Sequence, residues 1–407
     1  MRWPQGDSGF AVNVAITVLA TLAIGSVAYA GMVRALHPVA VALPAPSPTP
    51  SHSASATPSP EKQAPSPIPT PPAGTPLLAL LDVDLTDSST GWILLSNCAS
   101  ITSGACQYSV AGTLDAGVTW TKPTPVGPAF DRTDGGGPRT VRFLNHQDGF
   151  VYGSSGAYVT HDGGMTWAGA GLPGKFIEGM AAGGQTSWAV TSPCGKGVTC
   201  QLEIRRSVDG GRSWQAPHAL PLGFYPEELV PFASGVIMSS VPLGDIQMTT
   251  DGGLTWRSIK SQCSGNPFRG NVATSDGVEL WELCMGYPDA TTNAADKTLF
   301  VSEDGGKSWK QRATSLNGGA LQPSAFPVWF VSNRSRVAFM SGAPTPLITH
   351  DAGSTWTPVG LDGTALWLIR FVGSHDGWAL EGTTNIWVTT DGGETWSQAG
   401  GLPSEVG

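Results

Sequence analysis

The chain has 407 residues, of which 53 are glycine, 33 are proline and only 13% are charged. Glycine and proline break helix interiors, so this composition favours turn-rich β-structure over a mainly helical protein. The formal net charge is −9, and residues 1–76 contribute about +1 (Arg2, Arg34 and Lys62 against Asp7 and Glu61), so the remaining domain is acidic. Because an acidic domain repels phosphate backbones, we expect no nucleic-acid partner.

The N-terminal segment predicts export. Residues 11–33 contain no charged side chain, and about 20 apolar residues span the hydrocarbon core of a bilayer as a helix. Residues 1–10 are then a cytoplasmic N-terminus, and residues 11–33 are a transmembrane helix that anchors the protein in the cell membrane. A cleaved signal peptide is the alternative, because Ala28-Tyr29-Ala30 fits a small-x-small cleavage site. Both interpretations place the rest of the chain outside the cytoplasm, as a single-pass membrane protein or a secreted one.

Residues 34–76 are rich in proline, alanine, serine and threonine. A segment of this composition buries too little apolar surface to fold. We predict a disordered, extended linker that holds the following domain away from the membrane.

An octapeptide of the form S/T-x-D-x-G-x-S/T-W recurs seven times after the linker. The copies are residues 113–120, 160–167, 207–214, 249–256, 302–309, 349–356 and 389–396. Their aspartates are spaced by 40 to 53 residues, a period typical of one four-stranded propeller blade. The octapeptides therefore predict seven copies of one turn, one in each blade.

The residues of the octapeptide suit a tight turn between two strands. The aspartate can accept hydrogen bonds from its own turn, the glycine permits a backbone shape closed to other residues, and the tryptophan can fill the wedge between blades. Seven equivalent copies around a ring cannot converge on one substrate, so we interpret them as structural and assign no catalytic residue. The structural residues are Asp115, Trp120, Asp162, Trp167, Asp209, Trp214, Asp251, Trp256, Asp304, Trp309, Asp351, Trp356, Asp391 and Trp396.

A second motif precedes the octapeptides and places an aromatic or aliphatic residue at the start of a strand. Clear copies are Gly91-Trp92 and Gly377-Trp378. Each repeat thus predicts four strands, with the octapeptide as the turn between the third and the fourth. The predicted fold class is all-β: a seven-bladed β-propeller of four-stranded blades over residues 77–407, after the transmembrane helix and the linker.

Six cysteines lie close together in pairs, and an export signal ahead of them favours disulfides. The expected bonds are Cys98–Cys106, Cys194–Cys200 and Cys263–Cys284. A zinc site is the alternative, but no C-x-x-C occurs and no histidine lies near them at ligand spacing. We therefore expect no metal site and no cofactor.

The antiparallel strands of a blade, named a to d from the ring axis outward, fix which turns share a face. The a–b and c–d turns lie on one face, here called the box face, and the b–c hairpins and d–a connections lie on the other, the loop face. The longest b–c hairpins and the cysteines belong to the loop face. The disulfides either only staple these hairpins or stiffen a binding rim around the central funnel, since function concentrates in loops on rigid scaffolds.

Four arginines are candidate binding residues for an acidic partner. Arg132 and Arg139 lie in the connection between the first two blades, and Arg142 and Arg370 lie on predicted strands. Solvated surface or strand pairing is the alternative interpretation of all four.

The octapeptide and the Gly-Trp motif resemble the Asp-box, or bacterial neuraminidase, repeat superfamily, which includes sialidases, xyloglucanases and sortilin. The arrangement is most similar to the photosystem II stability/assembly factor family, with the clearest match in residues 143–167 and 371–396. The resemblance covers residues 77–403 and implies a non-enzymatic, seven-bladed scaffold. Because the shared motifs are structural, it does not imply photosystem binding.

The sequence lacks the site signatures of the enzymes that share this repeat. The Arg-Ile-Pro signature of sialidases is absent, and no pair of acids suggests the two carboxylates of a glycoside hydrolase. The predicted function is a non-catalytic, membrane-tethered extracytoplasmic scaffold that binds a protein or a cell-envelope glycan. A secreted glycoside hydrolase or sialidase-like enzyme is the alternative.

Overall fold

The computed structural model describes residues 77–403 apart from short gaps. The gaps are 99–104, 129, 132–136, 173–175, 195–199, 241–244, 264–269, 288, 293, 317–320, 322–323, 326–329, 342–344, 362–365, 383 and 401. The predicted anchor, the linker and Arg132 lie outside the described residues. Within the described part, no helix is long and apolar enough to cross a membrane.

The described residues form seven four-stranded antiparallel sheets, each built from one continuous stretch of chain in the order a-b-c-d. The a strands are β1 (Leu77–Leu85), β6 (Thr140–Phe143), β10 (Phe176–Gly183), β14 (Pro226–Phe232), β18 (Gly270–Ala273), β24 (Phe330–Arg334) and β28 (Leu366–Val372). The b strands are β2 (Gly91–Cys98), β7 (Gly149–Gly153), β11 (Thr186–Ser192), β15 (Gly235–Ser240), β19 (Leu280–Met285), β25 (Val337–Met340) and β29 (Asp376–Glu381).

The c strands are β3 (Ala105–Thr113), β8 (Gly156–Thr160), β12 (Glu203–Ser207), β16 (Asp245–Thr249), β21 (Lys297–Ser302), β26 (Leu347–Thr349) and β30 (Asn385–Thr389). The d strands are β4 (Thr124–Pro125), β9 (Ala168–Gly169), β13 (His218–Ala219), β17 (Arg257–Lys260), β22 (Lys310–Thr314), β27 (Thr357–Pro358) and β31 (Ser397–Gln398). Two minor pairings are added: β5 (Phe130–Asp131) joins β3, and β20 (Ala294–Ala295) pairs with β23 (Ser324–Ala325). The predicted seven-bladed propeller of four-stranded blades is confirmed.

The core is divided among the interfaces between blades. Seven clusters of buried apolar side chains occur in the described residues, and each joins two neighbouring blades. The b strands are covered on both sides, so every residue of β15 and β19 is buried. This explains why the b strands are continuous apolar runs rather than alternating ones.

The ring closes by side-chain packing between the last blade and the first. Among the described residues, blade 1 is formed only by its own segment and blade 7 only by the segment from β28 to β31, so no described sheet combines strands from both ends of the propeller. Trp378 of β29 instead packs among Leu80, Ile93 and Leu95 of the first blade. Successive a strands, from β28 through β1 and back, contact each other around the axis.

The Asp-box turn has one hydrogen-bond pattern in all seven blades. In the first box, Thr113 Oγ1 donates to Asp115 Oδ1 (2.7 Å) and accepts from Gly117 N (3.0 Å). Asp115 also accepts from Thr119 N (2.8 Å) and Thr119 Oγ1 (2.6 Å). The same bonds recur around the other six aspartates, Asp162, Asp209, Asp251, Asp304, Asp351 and Asp391.

The boxes and the a–b turns are bonded to each other. In six of the seven described boxes, the amide that follows the aspartate donates to a carbonyl of the a–b turn in the same blade. Ala116 N bonds Ser89 O at 2.9 Å in blade 1, and Gly392 N bonds His375 O at 2.7 Å in blade 7. The a–b and c–d turns therefore share the box face, as the strand directions require.

The hydrogen-bonded box aspartates should make the folded protein less stable in acid. Hydrogen bonds from the Ser213 and Thr255 hydroxyls lower the pKa of Asp209 and Asp251 to about 2, from an ordinary 3.8. A carboxylate whose pKa is lower in the folded than in the unfolded protein stabilises the fold. This stabilisation is complete above the pKa of the unfolded state and is lost as the pH falls through the pKa of the folded state. We expect the urea midpoint, followed by tryptophan fluorescence, to fall between about pH 4 and pH 2.

The Asp209→Asn variant is the control for this prediction. Removing the carboxylate should lower stability at pH 6 and make the acid-dependent fall in the midpoint shallower than in the wild type. Parallel curves for the two proteins would show that this box does not contribute to the acid sensitivity.

Candidate functional site

The seven a strands surround a central cavity of about 160 Å³, to which every blade contributes. Its polar lining includes Asp84 of β1, Arg142 of β6, Glu228 of β14 and Arg370 of β28. Asp82 lies two residues before Asp84 and therefore on the same side of β1. These five residues are called the channel cluster below.

Ion pairs connect the members of the channel cluster. Arg142 Nη1 lies 2.6 Å from Asp82 Oδ2, which is a direct charge-assisted hydrogen bond. Arg370 lies 4.0 Å from Asp82 Oδ1 and 3.8 Å from Glu228 Oε1, and both distances exceed those of a direct hydrogen bond. Arg142 is thus held firmly by its carboxylate, whereas these two ion pairs of Arg370 are loose.

The two aspartates also bond the backbone of the next blade. Asp82 Oδ2 accepts from Val141 N (3.0 Å), and Asp84 Oδ2 accepts from Phe143 N (2.6 Å). Strands β1 and β6 belong to different sheets, so these carboxylates satisfy amides that a strand ladder would otherwise satisfy. They have a structural role in joining blade 1 to blade 2.

Burial sets the charge of the channel cluster. It raises the pKa of Asp84 to about 7 and also raises the pKa of Asp82, against the attraction of Arg142. Burial opposes the charge of Arg142, but Asp82 and Asp84 outweigh it and raise the pKa of that guanidinium. Near neutral pH, two guanidinium groups face three carboxyls of which Asp84 is partly protonated. The cluster offers both hydrogen-bond donors and acceptors.

The structure separates the four arginines predicted as binding residues. Arg142 and Arg370 meet in the channel cluster, whereas Arg139 is exposed and lies immediately before β6. Asp82, Asp84 and Glu228 were not predicted as site residues. Two aspartates in the otherwise apolar run LLALLDVDL of β1 are a usable signal, because carboxylates buried in a strand need partners.

The loop face carries large exposed apolar side chains. Leu222 and Tyr225 lie in the connection from blade 3 to blade 4, Tyr287 in the b–c hairpin of blade 5, and Leu316 after blade 5. Their side chains are 36% to 69% exposed. This set, the loop-face rim, follows the ring from blade 3 to blade 6. Tyrosine is enriched at protein interfaces, because it offers a large apolar area with a polar end.

The three predicted disulfides have different outcomes in the structure. The predicted Cys263–Cys284 disulfide is confirmed. Cys106 is disulfide-bonded, and its partner in the β2–β3 register is Cys98, whose side chain lies outside the description. The predicted Cys194–Cys200 disulfide is wrong for this structure, where neither of the two cysteines is disulfide-bonded. Cys200 Sγ lies 3.4 Å from Ser192 Oγ and is engaged by hydrogen bonding instead.

Cys263, Glu282 and Cys284 form the one group of metal-type ligands found among the described residues. Both sulfurs are consumed by the disulfide, so the group offers no thiolate. Glu282 accepts hydrogen bonds from Ser261 Oγ and from Gln262 N (2.8 Å). These hydrogen bonds satisfy the buried Glu282 carboxylate without a metal ion.

The fold and the seven boxes define the chain as an Asp-box β-propeller. The family model of the BNR/Asp-box repeat matches residues 387–398, which contain the whole seventh box. A search of curated protein sequences gave no significant match.

Solved structures share the fold at low identity. YCF48 bound to a D1 peptide is 19% identical with a TM-score of 0.52, and the match covers 78% of this chain and 94% of that one. YCF48 from Cyanidioschyzon merolae is 16% identical with a TM-score of 0.48, over 78% and 97% of the chains. An ancestral GH74 enzyme is 15% identical with a TM-score of 0.55, over 81% of this chain and 47% of the enzyme. The predicted resemblance to Asp-box propellers of the assembly-factor type is confirmed, and it concerns the fold.

Proposed function

We propose that the chain is a non-catalytic, extracytoplasmic propeller that binds a segment of another protein on its loop face. Residues 11–33 hold it at the cell membrane as a single-pass protein, or it is secreted if that segment is cleaved. A cell-envelope glycan is the other ligand class for the same face.

The observation that carries the proposal is the loop-face rim. Leu222, Tyr225, Tyr287 and Leu316 are exposed on the loop face. A peptide segment could bury these apolar side chains at the rim. A propeller of the same fold has been solved with a peptide bound, which supports a protein segment as the ligand.

The alternative function is a glycoside hydrolase or sialidase-like enzyme. Such an enzyme needs two carboxylates that are available to the sugar. Asp84 has a pKa of about 7, which suits a general acid. Its Oδ2 and that of Asp82, however, accept backbone amides of β6. These bonds favour the binding scaffold.

A peptide selected against the loop face tests the proposal. A random peptide library displayed on phage is selected on the immobilised full chain, and the affinity of the enriched peptide is measured by fluorescence anisotropy. We expect Tyr287→Ala and Leu222→Ala each to weaken binding about tenfold or more, as truncation of an interface anchor does. Leu114→Ser, on the box face, is the control and should leave the affinity unchanged.

Two results would contradict the proposal. One is a selected peptide whose affinity is insensitive to Tyr287→Ala. The other is hydrolysis of a fluorogenic sialoside or of xyloglucan by the wild-type protein that disappears in Asp84→Asn, because that result would assign the channel to catalysis.

A further inference from the structure

The Asp-boxes differ in the residues at the second and sixth positions of the octapeptide, which vary from box to box. In blades 1 to 4, five of these eight positions hold large apolar residues that are 57% to 77% exposed: Leu114, Val118, Met165, Val208 and Leu254. The other three hold His161, Arg212 and Thr250. Val278, in the a–b turn of blade 5, continues the series at 56%. The same box positions in blades 5 to 7 hold polar residues: Glu303, Lys307, His350, Ser354, Thr390 and Glu394. The six apolar residues are called the box-face arc.

The box-face arc is carried by rigid turns. Each box is fixed internally by its aspartate and, in blades 1, 2 and 4, also by a backbone bond to the a–b turn, such as Gly163 N to Gln147 O at 3.0 Å. The second box is also bonded to the preceding blade, since Trp92 Nε1 of β2 donates to Gly163 O at 2.9 Å. A partner would therefore meet preorganised apolar side chains and lose little binding energy to ordering of the backbone.

The surroundings of the box-face arc are acidic. The carboxylates of its turns are Asp87, Asp115, Asp148, Asp162, Asp209, Asp251, Asp276 and Glu279, and Arg212 is the only arginine or lysine among the described residues of these turns. Arg206 of β12 reaches the fourth box from outside, where its Nη1 donates to Gly252 O. Hydrogen bonds from Thr119 hold the pKa of Asp115 below its ordinary value, and Asp209 and Asp251 are shifted in the same direction. These groups are ionised at neutral pH. The surface would therefore repel an anionic bilayer and attract cationic groups.

We propose that the box-face arc binds a cationic amphipathic segment of a partner protein. The apolar side of the segment packs on the arc, and its lysines and arginines face the box aspartates. This surface lies on the face opposite the loop-face rim, so it is a second interaction site independent of the first.

A synthetic peptide tests the box-face arc directly. The probe is a fluorescein-labelled 14-residue peptide of leucine and lysine at helical spacing, titrated with the full chain and followed by anisotropy. The triple variant Leu114→Ser/Met165→Ser/Leu254→Ser should weaken binding about tenfold or more, because exposed apolar anchors are removed. The matched control Leu222→Ser/Tyr287→Ser removes exposed side chains from the loop face and should bind like the wild type. Affinity should also fall as salt is raised, because the charges are exposed.

The opposite outcomes overturn this inference. They are an equal loss of affinity in the two multiple variants, equal binding of a peptide with glutamate in place of lysine, and no measurable binding by the wild type. Binding to phosphatidylglycerol vesicles in preference to the peptide would also overturn it. The loop-face variants decide the proposed function separately, so either site can fail without the other.

Discussion

Replacement of Trp378 by alanine is expected to lower the free energy of unfolding by about 3–5 kcal/mol, the usual cost of emptying a buried aromatic site. Trp378 is 1% exposed and meets the Trp120 ring edge-on, with the ring centroids 6.0 Å apart. It lies in the interface between blade 7 and blade 1, the one interface that no connecting peptide crosses. Its loss should let the ring open as well as leave a cavity.

Trp188 provides a matched control for this effect. It is 2% exposed and meets Trp256 with the same centroid separation of 6.0 Å and the same 85° angle as the Trp120–Trp378 pair. Its interface, between blades 3 and 4, is also held by a chain connection. We expect Trp378→Ala to have the lower urea midpoint and to lose hydrogen-exchange protection first in blades 1 and 7. Equal midpoints and the same pattern of lost protection in both variants would contradict a special role of the closing interface.

Replacement of Gly393 by alanine is expected to destabilise the protein by about 2–5 kcal/mol, through backbone strain together with overpacking. Gly393 has a φ of +91°, and a Cβ there would overlap the ring of Phe339 in the preceding blade. The equivalent glycine of the third box, Gly211, meets Phe150 in the same way. The box glycine is thus required both by the turn and by the aromatic residue that packs on it.

Gly373→Ala separates these two causes. Gly373 also has a positive φ, of +63°, but a Cβ there meets nothing within 4 Å. This variant should lose only about 1 kcal/mol, the conformational part alone. Both variants are compared by thermal unfolding, and a similar loss of stability in the two would show that contact with Phe339 is unimportant.

The contact between box glycine and strand-b aromatic explains why the fold could be predicted from sequence. The two motifs recur together because the box glycine packs near a strand-b aromatic of the preceding blade at five of the seven interfaces. The number of repeats of the two motifs therefore equals the number of blades. The small β20–β23 pair could not be predicted, because two-residue strands of alanine and serine have no distinctive pattern and their pairing depends on how two loops meet.

The channel cluster could be predicted only in part. Arg142 and Arg370 were recognised as candidates, but their partners Asp82 and Glu228 are far from them in the sequence. Closure of the ring brings β1, β6, β14 and β28 together, and no local pattern records that closure. The Cys194–Cys200 prediction failed for a related reason, because proximity along the chain does not fix the orientation of two thiols.

The absence of a shared closing sheet has a consequence for how the chain could be rearranged. Each blade is formed by one continuous segment of the chain. The termini could therefore lie between any two neighbouring blades without changing which strands pair. A circular permutant that begins at β14 and joins the present ends of the propeller would keep every sheet intact. The unconnected interface would then lie between blades 3 and 4. Trp188 would take over the closing role, and Trp378 would become an ordinary core residue.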